Sequence, residues 1–209
     1  MTMAFAGRTA ISGIGATEFS KASGRSTLRL AVEACDAAIA DAGLRPDEID
    51  AIVTFTVDVN HEIDVARSLG IPQLTHFSRI HHSGGAACGT IHQAAMAVDS
   101  GACRNVLVYR AFNERSEHRF GTGVRGRDAT ADPTDVDFGW SSPFGLLTPA
   151  SWVAMFATRY MHEYGATSED FGCVSVADRQ YAANNPKAFF YQKPITLEEH
   201  QQSRWIVKP

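Results

Sequence analysis

The stretch that decides the fold of this chain is FSRIHHSGGAACGTIHQAAMAVDSGACRNVLVYRAFN, residues 77–113. It predicts a strand, a sharp glycine turn, an apolar helix and a second strand, which is the order of a β-α-β unit. Ser83, Gly84 and Gly85 lead into the helix, where the first backbone N–H groups lack intrahelical partners and the helix dipole is positive. Such a helix start can hold a negative oxygen with main-chain atoms alone. The turn contains no cysteine.

The sequence before and within this stretch alternates short apolar runs with segments of helical period. The pattern predicts strands at 9–14, 50–56, 74–80 and 105–112, and helices at 27–42, 62–69 and 85–99. Ser26 is the expected N-cap of the first helix and Gly43 its C-terminal stop. This alternation indicates an α/β fold with a parallel sheet, in which ligands usually bind at the carboxyl ends of the strands.

The later part of the chain has a different character. Residues 113–147 are rich in glycine, charge, proline and aromatics, which predicts an inserted loop region after an α/β core at 1–112. Residues 148–209 are expected to continue the same domain with two helices, one starting at Thr148 and one capped by Thr167 and Asp170. The final RWIVKP is expected to enter a strand, so the domain is predicted to be cut before its last strand.

One expected packing surface lies on the helix at 85–99. The helical period places five small or apolar side chains on one side, which suits close packing against a sheet or another helix. They are Ala87, Ile91, Ala94, Ala95 and Val98.

The composition is that of a globular protein with one large domain or part of one: 209 residues, 44% apolar, 20% charged, net charge −4. Nucleic-acid binding is not indicated, because basic residues are scattered and the only dense cluster is typical of a solvated loop or a phosphate contact. That cluster is Arg115, Arg119, Arg125 and Arg127. The histidine and aspartate spacings match no usual metal ligand set.

The four cysteines, Cys35, Cys88, Cys103 and Cys173, show no paired spacing. The N-terminus has neither a basic region nor an unbroken apolar stretch, so a reduced cytoplasmic location is expected. No segment approaches the roughly twenty uninterrupted apolar residues that a membrane span needs.

Five segments, in this order, resemble the N-terminal half of a thiolase-superfamily protein of the sterol-carrier or lipid-transfer type. They are AISGIGATEFS, PDEIDAIVT, HHSGGAACGTIHQAAMAVDSG, GATSEDFGCVSVADRQYAANNP and KPIT. Within that family the chain most resembles the steroid side-chain aldolases of actinobacteria. The resemblance implies a thiolase-like βαβαβαβ half with an inserted loop region.

In true thiolases, a cysteine at the start of this helix becomes acylated. Matching the downstream helix and its Ser100-Gly101 end puts Gly84 at that position, and glycine cannot be a nucleophile. Cys88 would lie about 6 Å further along the helix axis and about 40° around it. Two interpretations of Cys88 remain open: a packed core thiol, as free cysteines commonly are, or a displaced nucleophile.

The resemblance implies a lyase that cleaves a steroid side-chain β-hydroxyacyl-CoA by a retro-aldol step, giving a 17-keto steroid and a short acyl-CoA such as propionyl-CoA. Claisen and retro-aldol cleavage both leave an electron pair on a thioester, so the same oxyanion donors serve both. No cofactor is needed beyond the acyl-CoA substrate. The alternatives are a thiolase-type acyltransferase that uses Cys88 and a non-catalytic lipid-transfer subunit.

Candidate site residues cluster after the predicted strands. His81, His82 and Ser83 precede or begin the turn, and one of them could donate to the thioester; alternatively, the two histidines face a subunit interface and the core. Asp58 could be a base, or a turn residue or helix cap. Further candidates for substrate contact follow strands at the same edge: Asn60, His61, Asn113 and Glu114.

The resemblance also concerns partners. Members of this family are longer and consist of two similar halves, with the acid and base residues of the aldolases in the second. In this chain, the face that packs against the second half in those proteins would be exposed. We therefore expect it to be a surface for aggregation or association. The resemblance implies a homodimer formed through the strand at 74–80 and a small OB-fold acyl-CoA-associated partner protein.

Overall fold

In the computed structural model of the chain, the described residues are 7–55, 58–81, 83–113, 142–146 and 148–208. The chain divides into two compact units, Met1–His118 and Arg119–Pro209. The predicted division into a core, an inserted loop region and a helical continuation stays a prediction. The basic cluster at 115–127 lies outside the described residues.

Unit one is built on a parallel three-stranded sheet, which confirms the predicted α/β class. Its strands are β1 (Ala51–Phe55), β2 (His76–Ile80) and β3 (Val106–Val108), in the order β2-β1-β3. All five residues of β1 are buried, as expected for a central parallel strand covered on both faces. Ala51 pairs with His76 on one side and with Val106 on the other, so the three strands start level.

Three helices follow the predicted pattern closely: α1 (Thr27–Asp41), α2 (Glu62–Leu69) and α3 (Ala87–Asp99). The N-cap prediction is confirmed, because the Ser26 hydroxyl accepts a hydrogen bond from Arg29 N at 3.2 Å. Gly43 follows the helix end with φ +70°, a conformation that residues with a Cβ rarely adopt.

The hydrophobic core lies mainly on one face of the sheet. There α1 and α2 pack against the strands through a cluster that includes Leu30, Ile39, Ile52, Val65 and Leu107. The other face carries a smaller cluster of Ala51, Ala97 and Cys103, with α3 above it. Side chains of successive strand residues point to opposite faces, which is why Ala51 and Ile52 belong to different clusters.

The predicted strand at 9–14 is wrong for the described chain. These residues are extended, but no ladder pairs with them, and Ile11 and Ile14 are 71% and 77% exposed. The segment is attached to helices instead: Ile14 N donates to Asp41 Oδ2 at 2.9 Å, and Arg8 pairs with Asp99 at 2.7 Å. A strand forms only where a partner takes up its main-chain hydrogen bonds, and no described strand does so here.

A cavity of about 650 Å³ lies between this N-terminal segment and β3. Residues 8–15 and 104–110 form two sides of it, while α1 and α3 form the others. Gly13 and Gly15 let the segment approach α1 closely. A Cβ built on Gly13 would lie 2.7 Å from Ala42 N, and one on Gly15 would lie 2.5 Å from Ala38 N.

The predicted packing face of α3 is correct only in part. Thr90, Ala94 and Ala97 are the buried residues of this helix, whereas Ile91 is 44% exposed. Ile91, Ala94, Ala95 and Val98 line the cavity. The helix therefore faces the sheet with a side that is rotated from the predicted one.

Unit two contains α4 (Pro149–Tyr164), α5 (Ser168–Asn184) and α6 (Leu197–Gln201). The predicted start of α4 is confirmed by Thr148 Oγ1, which accepts from Ser151 N at 3.3 Å. The predicted capping box at α5 is confirmed by Thr167 N, which donates to Asp170 Oδ2 at 2.7 Å. At Gly172, α5 comes so close to α6 that an added Cβ would lie 2.6 Å from Leu197 Cδ1.

The predicted strand at the end of the chain is not formed within residues 204–208, which contain only bends and irregular backbone. Among the residues that the structure describes, no helix is long and apolar enough to cross a membrane. The same residues contain no cluster of three or more His, Cys, Asp or Glu side chains that could hold a metal ion.

Candidate active site

The carboxyl edge of the sheet brings together most of the predicted site residues. Because the strands are parallel, β1, β2 and β3 all end at this edge. Asp58 and Asn60 follow β1, His81 and the glycine turn follow β2, and Asn113 follows β3. This is the edge at which open α/β sheets usually bind ligands.

The glycine turn forms a short 3₁₀ helix, Ser83–Ala86, that continues directly into α3. The first main-chain N–H groups of this continuous helix have no intrahelical acceptor and carry the positive end of its dipole. A Cβ added at Gly85 would meet no atom of the described residues within 4 Å. His81 is exposed, and His82 lies outside the described residues.

Asp58 is buried, and both of its carboxylate oxygens accept hydrogen bonds. Oδ1 accepts from Asn60 N at 2.8 Å and from Asn60 Nδ2 at 3.0 Å. Oδ2 accepts from Ala111 N at 2.6 Å. Asp58 therefore joins the loop after β1 to the segment after β3, which is the role of a turn residue rather than that of an exposed base.

Arg79 completes this network from β2. Its guanidinium donates to the carbonyl oxygens of Asp58 at 2.8 Å and Asn60 at 2.6 Å, and to Glu62 Oε1 at 2.9 Å. The hydroxyl of buried Tyr109 also donates to the Asn60 carbonyl, at 3.2 Å. The ends of all three strands are thus connected through one set of hydrogen bonds.

Asn113 makes a second internal connection. Its Nδ2 donates to the Arg25 carbonyl at 2.6 Å, and its Oδ1 accepts from the Ser23 hydroxyl at 3.2 Å. The side chain is buried and holds the segment before α1 against the segment after β3.

The environment shifts the pKa values of the groups in this network. Burial raises the pKa of Asp58, although the hydrogen bonds from Ala111 and Asn60 and the charge of Arg79 act in the opposite direction. Burial alone would raise the pKa of Glu62, but the hydrogen bond and charge of Arg79, together with the Glu62 main-chain N–H and nearby His61, hold that pKa below its usual value. Burial also raises the pKa of Tyr109, so its hydroxyl stays protonated as a donor.

The four thiols are free and fall into two classes. Cys35 and Cys103 are buried, whereas Cys88 and Cys173 are exposed. The prediction of Cys88 as a packed core thiol is wrong for this structure. Cys88 lies two residues before buried Thr90, about 200° around the helix, and so points away from the side that α3 buries.

Thiol labelling should separate these classes. Burial raises the pKa of Cys35 to about 12 and also raises that of Cys103, so both are protonated near pH 8 as well as shielded. We expect iodoacetamide at that pH to label Cys88 and Cys173 first, and Cys35 only after unfolding. Peptide mass spectrometry over time measures the order, with Cys88→Ser and Cys173→Ser as site controls. Labelling of Cys35 as fast as Cys88 in the folded protein would contradict the structure.

Sequence reasoning located most of the polar residues at this edge but missed the two that connect them, Arg79 and Tyr109. A signal for Arg79 was present, because a lone arginine within the short strand HFSRI requires a partner. For Tyr109 the sequence offered none, since a tyrosine in an apolar strand is typical of any core.

Comparison with known proteins agrees with this architecture. Residues 2–208 match the family described as thiolase, N-terminal domain. The chain is 64% identical over 203 residues to a steroid side-chain-cleaving aldolase of Thermomonospora curvata, covering 97% of this chain and 52% of the relative. It is 62% identical to the 17-hydroxy-3-oxo-4-pregnene-20-carboxyl-CoA lyase of Mycobacterium tuberculosis, covering 97% and 53%.

Solved structures give the same result. The chain superimposes on the Ltp2-ChsH2(DUF35) aldolase with a TM-score of 0.83 and 63% identity, covering 96% of this chain and 50% of that one. A monomeric SCP2-thiolase-like protein from Mycobacterium smegmatis, at 20% identity, a TM-score of 0.63 and coverage of 90% and 38%, shares the fold.

The chain therefore belongs to the thiolase family, and its fold is thiolase-like. It spans about half the length of the curated relatives it matches.

Proposed function

We propose that this chain provides the thiolase N-terminal domain of a carbon–carbon lyase that cleaves a steroid side-chain β-hydroxyacyl-CoA by a retro-aldol reaction. The observation that carries the proposal is identity above 60%, along nearly the whole chain, to two proteins named as an aldolase and a lyase of this kind. The glycine turn supports it, because Ser83–Ala86 offers helix-start amides without a thiol in the turn itself.

The substrate class follows from the name of the Mycobacterium relative. A 17-hydroxy steroid with a 20-carboxyl-CoA group carries a tertiary hydroxyl on the carbon β to the thioester carbonyl. A base removes the hydroxyl proton, the bond between the α and β carbons breaks, and its electron pair moves onto the thioester as an enolate. The β carbon becomes the 17-ketone. The enolate then takes up a proton at its α carbon, which gives propionyl-CoA.

The role proposed for the turn is to hold the enolate oxygen. The main-chain N–H groups at Gly84 and Gly85 are the candidates, since this helix start points its unpaired donors and positive dipole toward the carboxyl edge of the sheet. A single well-placed oxyanion donor can contribute roughly 10² to 10³ in rate. His81, His82 and Ser83 remain candidates for substrate contact. The hydrogen bonds described above favour a structural role for Asp58, Asn60 and Asn113, whose contact with substrate stays a prediction.

We also propose the partners. The matching solved structure names an aldolase together with a DUF35 protein, which supports a small OB-fold partner for the protein that contains this chain. A homodimer through β2 is consistent with the position of β2 at the edge of the described sheet. Four free cysteines support a reduced, cytoplasmic location.

Product analysis tests the proposal. The full-length polypeptide and its DUF35-type partner are given a tertiary β-hydroxyacyl-CoA and, separately, a β-ketoacyl-CoA with free CoA. We expect liquid chromatography and mass spectrometry to find ketone and shortened acyl-CoA from the first substrate only. Conversion of neither substrate would refute the lyase and favour a lipid-transfer role.

A second candidate function has one observation in its favour. Cys88 is exposed on the first turn of α3, so an acyl group could reach it, as a thiolase-type acyltransferase would require. In that case the β-ketoacyl-CoA would be thiolysed, an acyl adduct would appear on Cys88, and Cys88→Ala would abolish both. Full lyase activity in Cys88→Ala without any adduct eliminates this candidate.

A further inference from the structure

The central strand β1 has a carboxylate at each end that accepts hydrogen bonds from the main chain flanking β3. Before β1, Asp50 Oδ2 accepts from Arg104 N and Oδ1 from Asn105 N, both at 2.9 Å. After β1, Asp58 Oδ2 accepts from Ala111 N at 2.6 Å. The two side chains hold β3 to β1 in the same way, Asp50 at the amino edge of the sheet and Asp58 at the carboxyl edge.

At the carboxyl edge, the hydrogen bond from Ala111 N to Asp58 helps to position the residues that follow β3. The ladder between β1 and β3 has only three register pairs and ends at Val108. Beyond it, within the described residues, β1 and the chain after β3 share one long main-chain hydrogen bond, from Tyr109 N to Val53 O at 3.4 Å, and the Thr54 hydroxyl donates to the Tyr109 carbonyl at 3.0 Å. The bond from Ala111 N to Asp58 is shorter and charge-assisted, so together with the hydrogen bonds of Asn113 it holds residues 111–113 in place.

The main-chain carbonyl of Asp58, which is independent of its carboxylate, contacts the strand that leads into the glycine turn. Arg79 in β2 donates to the Asp58 carbonyl, and His81 and the Ser83–Ala86 turn follow Arg79 within a few residues. We infer that Asp58 is a positioning residue, whose carboxylate acts by holding residues 111–113 in place at the edge where the proposed reaction occurs. Only the expected effect of Asp58 on the rate of cleavage rests on the proposed function.

The hydrogen-bond donors around residue 58 fit a carboxylate, whose two oxygens both accept. Three N–H donors point at the two oxygens of Asp58, from Asn60 N, Asn60 Nδ2 and Ala111 N. Asp58→Asn keeps the shape but turns an NH₂ group toward at least one of these donors, which breaks that connection. Asp50→Asn has the same effect on Arg104 N or Asn105 N, which makes it a matched control at the opposite edge.

The first measurement is hydrogen exchange by mass spectrometry on the full-length polypeptide. We expect Asp58→Asn to speed amide exchange at residues 111–113 by about tenfold or more, and Asp50→Asn to do so only around residues 104–106. Unchanged exchange at 111–113 in Asp58→Asn overturns the inference, whatever reaction the protein catalyses.

The second measurement is steady-state kinetics of β-hydroxyacyl-CoA cleavage with the partner present. We expect kcat to fall about tenfold or more in Asp58→Asn, with KM within about threefold, and to stay within about threefold in Asp50→Asn. Equal losses of kcat in both variants would mean that Asp58 only stabilises the fold, and the inference would be wrong. Should Asp58→Asn not fold, Asp58→Glu keeps the charge while displacing the oxygens, and the same fall in kcat is expected.

The two proposals can fail separately. A wild-type protein that cleaves no β-hydroxyacyl-CoA refutes the lyase, while the exchange experiment still decides whether Asp58 holds this edge in place.

Discussion

Gly15→Ala is expected to lower the free energy of unfolding of unit one by about 3 kcal/mol, since an added methyl group has no room against α1. The new Cβ would lie 2.5 Å from Ala38 N and 3.0 Å from Ala37 C, and closer still to the Ala34 carbonyl oxygen. These are main-chain atoms of a helix and cannot move aside independently. The N-terminal segment would have to lift from α1, with loss of the hydrogen bond from Ile14 N to Asp41.

Thermal and denaturant unfolding measure this effect, and Gly89→Ala is its control. Gly89 lies within α3, and among the described residues a Cβ there would meet only Ile80 Cγ2, at an ordinary 3.7 Å. Replacing a helical glycine with alanine stabilises a helix by about 0.5–1 kcal/mol, so this variant should match or exceed the wild type. If Gly15→Ala unfolds within about 0.5 kcal/mol of the wild type, residues 12–15 do not lie against α1 as described.

Arg79→Met is expected to cost about 3 kcal/mol at neutral pH, because one side chain supplies hydrogen bonds to three acceptors. Two of these are the carbonyls of Asp58 and Asn60, and the third is the Glu62 carboxylate. The control is Arg45→Met, since Arg45 is 68% exposed and its pairs with Asp47 and Glu48 face water. Exposed pairs of this kind contribute little, so that variant should lose less than about 1 kcal/mol.

The effect of Arg79→Met should also depend on pH. Arg79 lowers the pKa of Glu62 in the folded protein, so this pair stabilises the fold above the unfolded pKa of glutamate, about 4.3. The stabilisation is lost as pH falls through the lower folded pKa. Denaturant unfolding at pH 7 and near pH 3.5 should therefore show a smaller difference between variant and wild type in acid. A difference that grows in acid would contradict the assigned pair.

The regular elements could be predicted because their signals are local. Helix α2 has the predicted bounds, with Gly70 as its αL cap, and the buried run of β1 has the unbroken apolar pattern of a central parallel strand. Even α6, which was not predicted, has a local signal, since Thr196 and Glu199 form a capping box. A threonine three residues before a glutamate was visible in the sequence.

The elements that could not be predicted depend on distant partners. Residues 9–14 have a strand composition, but a strand requires a neighbour, and in the described chain a cavity lies between them and β3. The side that α3 turns to the sheet depends on how the helix packs, which the periodicity of its many alanines does not determine.

In the candidate site, too, the local residue pattern could be predicted and the distant contacts could not. The sequence identified Asp58, Asn60 and Asn113 as polar residues at strand ends, but the same residue types serve a ligand or a loop equally well. Which of the two applies to Asp58 depends on Ala111 N, 53 residues later in the chain. No local pattern carries that information.

The exposed thiol of Cys88 is a suitable attachment site for a fluorescent probe beside the candidate site. It lies on the first turn of α3, two residues after the Ser83–Ala86 turn ends. In a Cys173→Ser background, an environment-sensitive fluorophore attached there would compete within this chain only with the buried thiols Cys35 and Cys103. The emission of this probe would then report whether and how fast the proposed acyl-CoA substrate binds, even for thioesters that are never cleaved.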